Sequence, residues 1–327
     1  MKKNNILITG GAGYIGSTVA RELENKFNIN IVDNLATGNK NLIKKSFSFY
    51  KFNCGDKKKL QKLIHDKDIS ILIHLAASLS VEESQSKKKY YYQNNYINTK
   101  NIIDVCNKSK TIKKIIFSST CAVYGALNNS KKKINEKNRR YPISYYGYTK
   151  KKCEDYIINK SNKKYVILRY FNVVGAEPKN SCGLVDKKSK QLFANLNRSI
   201  LSKKNNIDIY GTSHDTNDGT CVRDYIHVSD IARIHNTCIN YLDKKKSTIF
   251  NCGYKKGFSV KEIIDKYEKI FKVKFKRFYK EPRTGDPGYI VCDNSKLINK
   301  IKWKPKYNNL ENMIVSSFRW YKKFCKG

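Results

Sequence analysis

The sequence predicts an α/β protein: a doubly wound parallel sheet followed by a smaller C-terminal α/β unit. Three observations predict it. Short apolar runs alternate with stretches of helical period through the first half of the chain. The first run feeds a cluster of glycines that opens a helix. The later runs end in small or polar residues, the kind that meet a ligand at the carboxyl edge of an open sheet.

Residues 6–8 read as a buried strand, and glycines follow in two overlapping spacings, Gly11-x-Gly13-x-x-Gly16 and Gly10-x-x-Gly13-x-x-Gly16. Ile15, Val19 and Leu23 then recur every fourth residue, which is a helical period. Missing side chains permit the tight turn and let a pyrophosphate approach backbone N–H groups at the helix start, around Gly10, Gly13, Tyr14, Ile15 and Gly16. A second strand, 29–32, ends in Asp33, twenty residues after Gly13. A carboxylate there accepts hydrogen bonds from an adenosine ribose and repels a 2′-phosphate, which favours NAD over NADP. Strand, glycine turn, helix and acid together are the Rossmann-type dinucleotide signature.

A third strand at 47–52 is followed by Cys54-Gly55-Asp56 and a lysine-rich helix to Lys67. The fourth, 69–75, runs into Ala76-Ala77, and 90–107 is helical in period. The fifth, 112–118, carries Ser118-Ser119-Thr120 at its end. A helix over 146–159 leads to a strand at 165–169, which ends in Tyr170-Phe171-Asn172. Gly10, Asp33, Asp56, Ala76, Ser118 and Asn172 therefore share one edge of the sheet.

After Asn172 the alternation breaks. A helix near 190–201 and a strand at 207–210 come first; 220–227 and a helix from Ser229 read as a return to the first unit. A helix over 260–271, a strand, a turn at 282–287 and a last helix from Leu310 close the chain. The predicted organisation is a cofactor unit, 1–172 with 222–250, and a substrate unit, 173–221 with 251–327. There is no internal repeat, and low complexity is confined to short lysine runs such as 131–133.

Composition excludes several classes. The 327 residues contain no apolar run of membrane-spanning length, and the first strand begins too early to leave room for a signal peptide. Ten scattered cysteines, with no C-x-x-C pair, fit reduced thiols in the cytoplasm better than disulfides or a metal site. The net charge of +39 would suggest nucleic acid, yet only 10 of the 66 basic residues are arginine and the lysines spread from end to end. With Asn, Ile, Tyr and Phe also abundant, this is a lysine-rich solvated surface rather than a nucleic-acid footprint. It still steers anionic substrates inward.

The chemistry centres on Tyr146-x-x-x-Lys150. At i and i+4 on a helix the phenol and the ammonium point the same way. A lysine cation, with a positively charged nicotinamide beside it, brings the phenol pKa toward neutrality. The tyrosine then takes a hydroxyl proton as hydride leaves for the cofactor. Thr120 offers a hydroxyl to the same substrate oxygen.

With these motifs the chain resembles the extended short-chain dehydrogenases, which share Gly-Gly-x-Gly-Tyr-Ile-Gly, Ser-Ser-Thr/Ser…Val-Tyr-Gly and Tyr-x-x-x-Lys. Within them it is similar over nearly its whole length to the UDP-glucose 4-epimerase family. The specific matches are Leu168-Arg-Tyr-Phe-Asn172, Asp218-Gly-Thr-Cys-Val-Arg-Asp-Tyr-Ile-His-Val228 and Pro282-Arg-Thr-Gly-Asp286. The resemblance implies tightly held NAD that oxidises carbon 4 of a UDP-hexose, rotation of the 4-keto sugar, and return of the hydride to its other face.

It also implies roles. Tyr146 is the acid and base, Lys150 tunes it, and Thr120 positions the 4-hydroxyl. Asp33 and Asn34 meet the adenosine ribose, and Asp56 lies near the adenine. Ala76, Ala77, Asn95 and Ser118 contact the cofactor, and Tyr170 lines its nicotinamide side. Asn172, Arg223 and Arg283 surround the UDP diphosphate; Tyr210 stacks on uracil and Asp286 binds the uridine ribose. A homodimer through a four-helix bundle, built from 90–107 and 146–159, follows from the same resemblance.

Three positions depart from the family pattern. Leu79 stands where many members have a lysine near the pyrophosphate, Gln191 where an asparagine contacts the sugar nucleotide, and Ile290 where bacterial members often have a gating tyrosine. A smaller gate implies room for an N-acetyl group on the sugar. The rival readings are other UDP-sugar enzymes of the fold: epimerases of UDP-N-acetylglucosamine, UDP-xylose or UDP-glucuronate, or a UDP-glucuronate decarboxylase. Related dehydratases place an Asp-Glu pair beside the threonine, whereas Thr120 is followed by Cys121-Ala-Val123. A non-catalytic NAD- or RNA-binding protein would not need Thr120, Tyr146 and Lys150 together.

Overall fold

A computed structural model describes residues 3–126, 132–185, 189–283 and 286–326. Lys131 of the lysine run, and Thr284 and Gly285 of the 282–286 motif, lie outside the described residues.

The first half forms β1 (Asn5–Thr9), α1 (Tyr14–Leu23), β2 (Asn28–Asp33), β3 (Ser48–Lys51), α2 (Lys57–Asp66) and β4 (Ile69–His74). Then come α3 (Val81–Ser86), α4 (Lys88–Tyr91), a π-helical turn Tyr92–Ile97, α5 (Asn98–Lys108), β5 (Lys114–Thr120), α6 (Tyr145–Lys160) and β6 (Lys164–Tyr170). The second half adds β7 (Asn172–Val174), α7 (Leu192–Leu201), β8 (Asn206–Tyr210), β9 (Val222–His227), α8 (Val228–Lys244) and β10 (Thr248–Cys252). It closes with β11 (Gly257–Ser259), α9 (Val260–Phe271), β12 (Lys276–Lys280), β13 (Tyr289–Ile290), α10 (Ser295–Ile301) and α11 (Leu310–Lys326).

A seven-stranded parallel sheet has the order β10-β6-β5-β4-β1-β2-β3. The chain reverses direction across the sheet between β1 and β4, where a doubly wound sheet opens a crevice at its carboxyl edge. Strand alternation divides the core. Ile6 and Ile8 face one layer with α1 and α8, while Leu7 faces the other with α2, α5 and α6. Both faces are covered, which is why the strands read as continuous apolar runs.

Beyond that sheet, β9 is shared in a four-stranded sheet with β11, β13 and β7, and β8 pairs with β12. α7, α9 and α11 bury their apolar faces around Tyr225 and Tyr267. Within the stretch expected to return to the first unit, β9 belongs to the small sheet. It is α8, packed on α1, and β10, paired with β6, that join the large one. The helix expected over 90–107 is interrupted by the π-helical turn, and β5 runs to Thr120, two residues beyond its expected end.

Candidate active site

The glycine turn lies at the carboxyl end of β1. Gly10 takes φ +72°, and a Cβ there would sit 2.7 Å from the Ala76 nitrogen, so this turn packs directly on the loop after β4. A Cβ on Gly16 would collide with the Gly10 carbonyl oxygen. Gly13 precedes α1 as its N-cap and supplies no side-chain cap, so the donors of the first turn are open to an anion. That is a cradle shaped for a pyrophosphate.

Asp33 ends β2 with its carboxylate buried against the turn, accepting from Ala12 N at 3.1 Å and Leu35 N at 2.8 Å. Burial raises its pKa, and the two backbone donors pull it back down. Asn34 is exposed and caps its own loop through Ala36 N. Asp56 caps α2, accepting from Lys59 N at 3.1 Å. Ala76 and Ala77 are half-buried beside Gly10. Asn95, in the π-helical turn, accepts from Ser78 N at 2.8 Å and donates to the Ser78 carbonyl and to Thr149 Oγ1 at 3.0 and 3.2 Å. Both its donors are engaged within the chain, so it holds the loop after β4 rather than offering a free amide.

Tyr146 and Lys150 lie on the buried face of α6, one turn apart, against the end of β5. Lys150 Nζ donates to the Ser118 carbonyl at 2.7 Å and sits 4.7 Å from the centre of the Phe117 ring. Burial lowers its pKa to about 8. The phenol of Tyr146 is held well above its ordinary range by burial, and the neighbouring Thr120 hydroxyl offsets part of that rise. Within the chain itself, then, burial outweighs the depression expected from Lys150, whose ammonium is turned to Ser118. The Tyr170 hydroxyl is hydrogen-bonded to His235 Nε2 at 2.8 Å.

On the other side lie the residues expected to hold the substrate. Arg223 donates to Asp286 Oδ1 at 2.5 Å, so the expected diphosphate ligand and the expected ribose ligand are paired with each other. The Arg283 guanidinium covers the Tyr210 ring at 4.1 Å. Asn172 opens β7 opposite Tyr225, and Gln191 is exposed at the start of α7. Ile290 is opposite Arg223 in the small sheet and is 5% exposed, packed with Val123, Tyr124 and Phe171. Leu79 is 61% exposed at the rim. Among the described residues no group of His, Cys, Asp and Glu is arranged to hold a metal, no helix is long and apolar enough to cross a membrane, and the cysteines are free thiols.

Sequence reasoning passed over residues that support this site. Ser84 and Gln85 of α3 meet backbone donors of α6, and Glu154 and Arg169 form an ion pair beneath it. The Arg169 position carried a signal, since an arginine inside an apolar strand needs a partner; a serine in a short polar helix carried none.

Comparison with known proteins places these features in context. Residues 6–253 match the NAD dependent epimerase/dehydratase family. The chain is 34% identical to a UDP-glucose 4-epimerase of Lactobacillus helveticus, over 98% of each chain. It is 33% identical to a probable UDP-arabinose 4-epimerase of rice, covering 99% of this chain and 83% of that one. The solved UDP-Glc/GlcNAc 4-epimerase of Campylobacter jejuni superposes with a TM-score of 0.83 at 36% identity, over 98% of this chain and 99% of that one.

Proposed function

The chain belongs to the NAD dependent epimerase/dehydratase family, within it to the UDP-sugar 4-epimerases, and we propose that it interconverts UDP-glucose and UDP-galactose. The observation that carries this reading is that Tyr146 and Lys150 lie one helical turn apart on the buried face of α6, against the end of β5 that carries Thr120, at the carboxyl edge of the sheet that also bears the glycine turn.

The open donors at the start of α1, the space left at Gly10 and Gly16, and the carboxylate of Asp33 fit a dinucleotide. When bound, NAD supplies the hydride acceptor and donor and a positive charge beside the phenol. Tyr146, as phenolate, takes the proton of the 4-hydroxyl while the C4–H bond gives up its hydride, and returns that proton when the ketone is reduced from its other face. Thr120 holds the same oxygen in both directions. Arg223 and Arg283 turn to the diphosphate, Arg223 exchanging Asp286 for a phosphate oxygen, and Tyr210 offers its ring to uracil. The cofactor side is 1–172 with α8 and β10, and the sugar nucleotide lies against the second unit, which includes β9 and its Arg223. Free thiols and a nucleotide-sugar substrate support a cytoplasmic enzyme.

The test is incubation of the purified protein with UDP-glucose, UDP-N-acetylglucosamine, UDP-xylose and UDP-glucuronate, with products identified by NMR. UDP-galactose from the first supports the reading. Turnover confined to another sugar reassigns the substrate, and a decarboxylated product overturns 4-epimerisation.

A further inference from the structure

The first turn of a helix leaves backbone N–H groups without intrahelical partners, and Tyr146 lies in such a turn. Gly147 N is met from within, by Ser144 Oγ at 3.1 Å. The two donors before it are met by a different element: Tyr145 N donates to Gln85 Oε1 and Tyr146 N to Ser84 Oγ, each at 3.0 Å. Ser84 is fully buried in α3, and its own hydroxyl hydrogen goes to the Val81 carbonyl at 2.5 Å. Its oxygen is thereby left to accept from Tyr146.

The carbonyl of Tyr146 is tied to the same stretch by a second route. Thr149 Oγ1 donates to it at 2.8 Å, and Asn95 joins Thr149 to both backbone groups of Ser78. Both backbone groups of the tyrosine are therefore linked to residues 78–84. That stretch begins where Ala76 touches Gly10, and its Glu82 receives Lys190 at 2.8 Å from the chain leading into α7. The loop after β4 and the short helix that follows it thus link the glycine turn, the base and the substrate side.

We infer that Ser84 is a positioning residue for Tyr146, setting the place of the phenol through the backbone N–H. The inference rests on the reading of Tyr146 as acid and base. Removing the hydroxyl strands a buried N–H, which the turn relieves by shifting. A displacement of about 1 Å at a reacting group lowers the rate by roughly a hundredfold.

The test measures kcat and KM of the holoenzyme, with the UDP-sugar it turns over, for Ser84→Ala, Ser84→Cys and Ser84→Thr, each alone and combined with Tyr146→Phe. Ser84→Ala is expected to lower kcat roughly ten- to a hundredfold with KM nearly unchanged, and Ser84→Thr to restore most of it. In the Tyr146→Phe background Ser84→Ala is expected to change the residual rate less than twofold, because no phenol remains to be misplaced. Ser84→Cys, of similar volume but a weaker acceptor, shows an intermediate loss and carries the test if the alanine variant does not fold. Full kcat in Ser84→Ala or Ser84→Cys, or an equal loss in both backgrounds, overturns the inference. Full activity of Tyr146→Phe alone overturns the assignment of the base instead.

Discussion

Arg169 reaches Glu154 with two hydrogen bonds, Nε to Oε1 at 2.9 Å and Nη2 to Oε2 at 2.6 Å, and neither side chain meets solvent. Ser119 and Arg140 complete the carboxylate, and Tyr124 accepts the remaining reach of the guanidinium. Glu154 is one turn beyond Lys150 on α6, Ser119 adjoins Thr120 on β5, and Arg169 adjoins Tyr170 on β6. The pair clamps α6, the helix that carries Tyr146 and Lys150, to the two strands whose ends it faces. Breaking it leaves a buried charge, so Glu154→Ala is expected to lower stability by about 3–5 kcal/mol in urea unfolding. Replacing both partners, Glu154→Leu with Arg169→Met, should recover most of that loss. A single-variant loss under about 1 kcal/mol would show that the pair is not desolvated.

Three buried imidazoles make stability sensitive to acid. His74 receives the Thr9 hydroxyl on Nδ1, His227 accepts from Ser229 N on Nδ1, and His235 accepts from Tyr170 on Nε2. Each uses one nitrogen as an acceptor, and burial lowers their pKa values from 6.5 to about 3, 4 and 4. Below pH 6.5 the unfolded chain therefore binds more protons than the fold, and stability falls as pH falls from 6.5 toward 4. Asp224, pushed up to about 7 by burial, opposes this by about one proton across the same range. The net slope is roughly 3 kcal/mol per pH unit. Urea midpoints at pH 7.5, 6 and 5 measure it, and a flat series contradicts the neutral imidazoles.

How much of this was legible in the sequence follows from what each feature depends on. The glycine turn, the strand ends at Asp33, Ser118 and Thr120, and the Tyr146–Lys150 pair are local patterns, because chain spacing alone brings their parts together. The Arg223–Asp286 pair and the cap of α6 by α3 join residues 63 and 62 positions apart, and no periodicity encodes such meetings. The break at Tyr92–Ile97 was hidden for another reason: its side chains keep a helical pattern while Asn95 bends the backbone toward Ser78. The role of β9 was misleading because an apolar strand reads the same in either sheet.

The π-helical turn and α6 present an aromatic face fit for a second copy of the chain. Lys152 Nζ lies 5.9, 5.2 and 5.6 Å from the ring centres of Tyr92, Tyr96 and Tyr148, and Tyr148 is 39% exposed. Lys150 is buried, Lys151 pairs with Asp155 and Lys87 with Glu83, so charge repulsion across this face is weaker than the lysine runs suggest. A homodimer through a four-helix bundle is expected by light scattering, and Tyr148→Glu should yield monomers. A wild-type monomer at every salt concentration would rule the bundle out.

The glycine turn offers a way to separate shape from binding. At Gly16 an added methyl meets backbone atoms of Gly10 and Gly11, which cannot swing aside, so the turn and α1 must part. At Gly13 the nearest atom to an added Cβ is the Gly10 carbonyl oxygen at 3.2 Å, and the backbone there, φ −85° and ψ 176°, suits any residue. The methyl at Gly13 nonetheless faces the space that a pyrophosphate would enter over the open start of α1. Wild type is expected to purify with about one NAD per chain, released on denaturation, and to need none added for turnover. Gly16→Ala should lose both bound NAD and several degrees of melting temperature. Gly13→Ala should lose NAD while the nucleotide-free protein melts near the wild-type apoprotein. Nucleotide content and melting curves read the two effects independently. If Gly13→Ala keeps its NAD, the pyrophosphate does not approach this turn; if wild type carries none and depends wholly on added NAD, the cofactor is not tightly held.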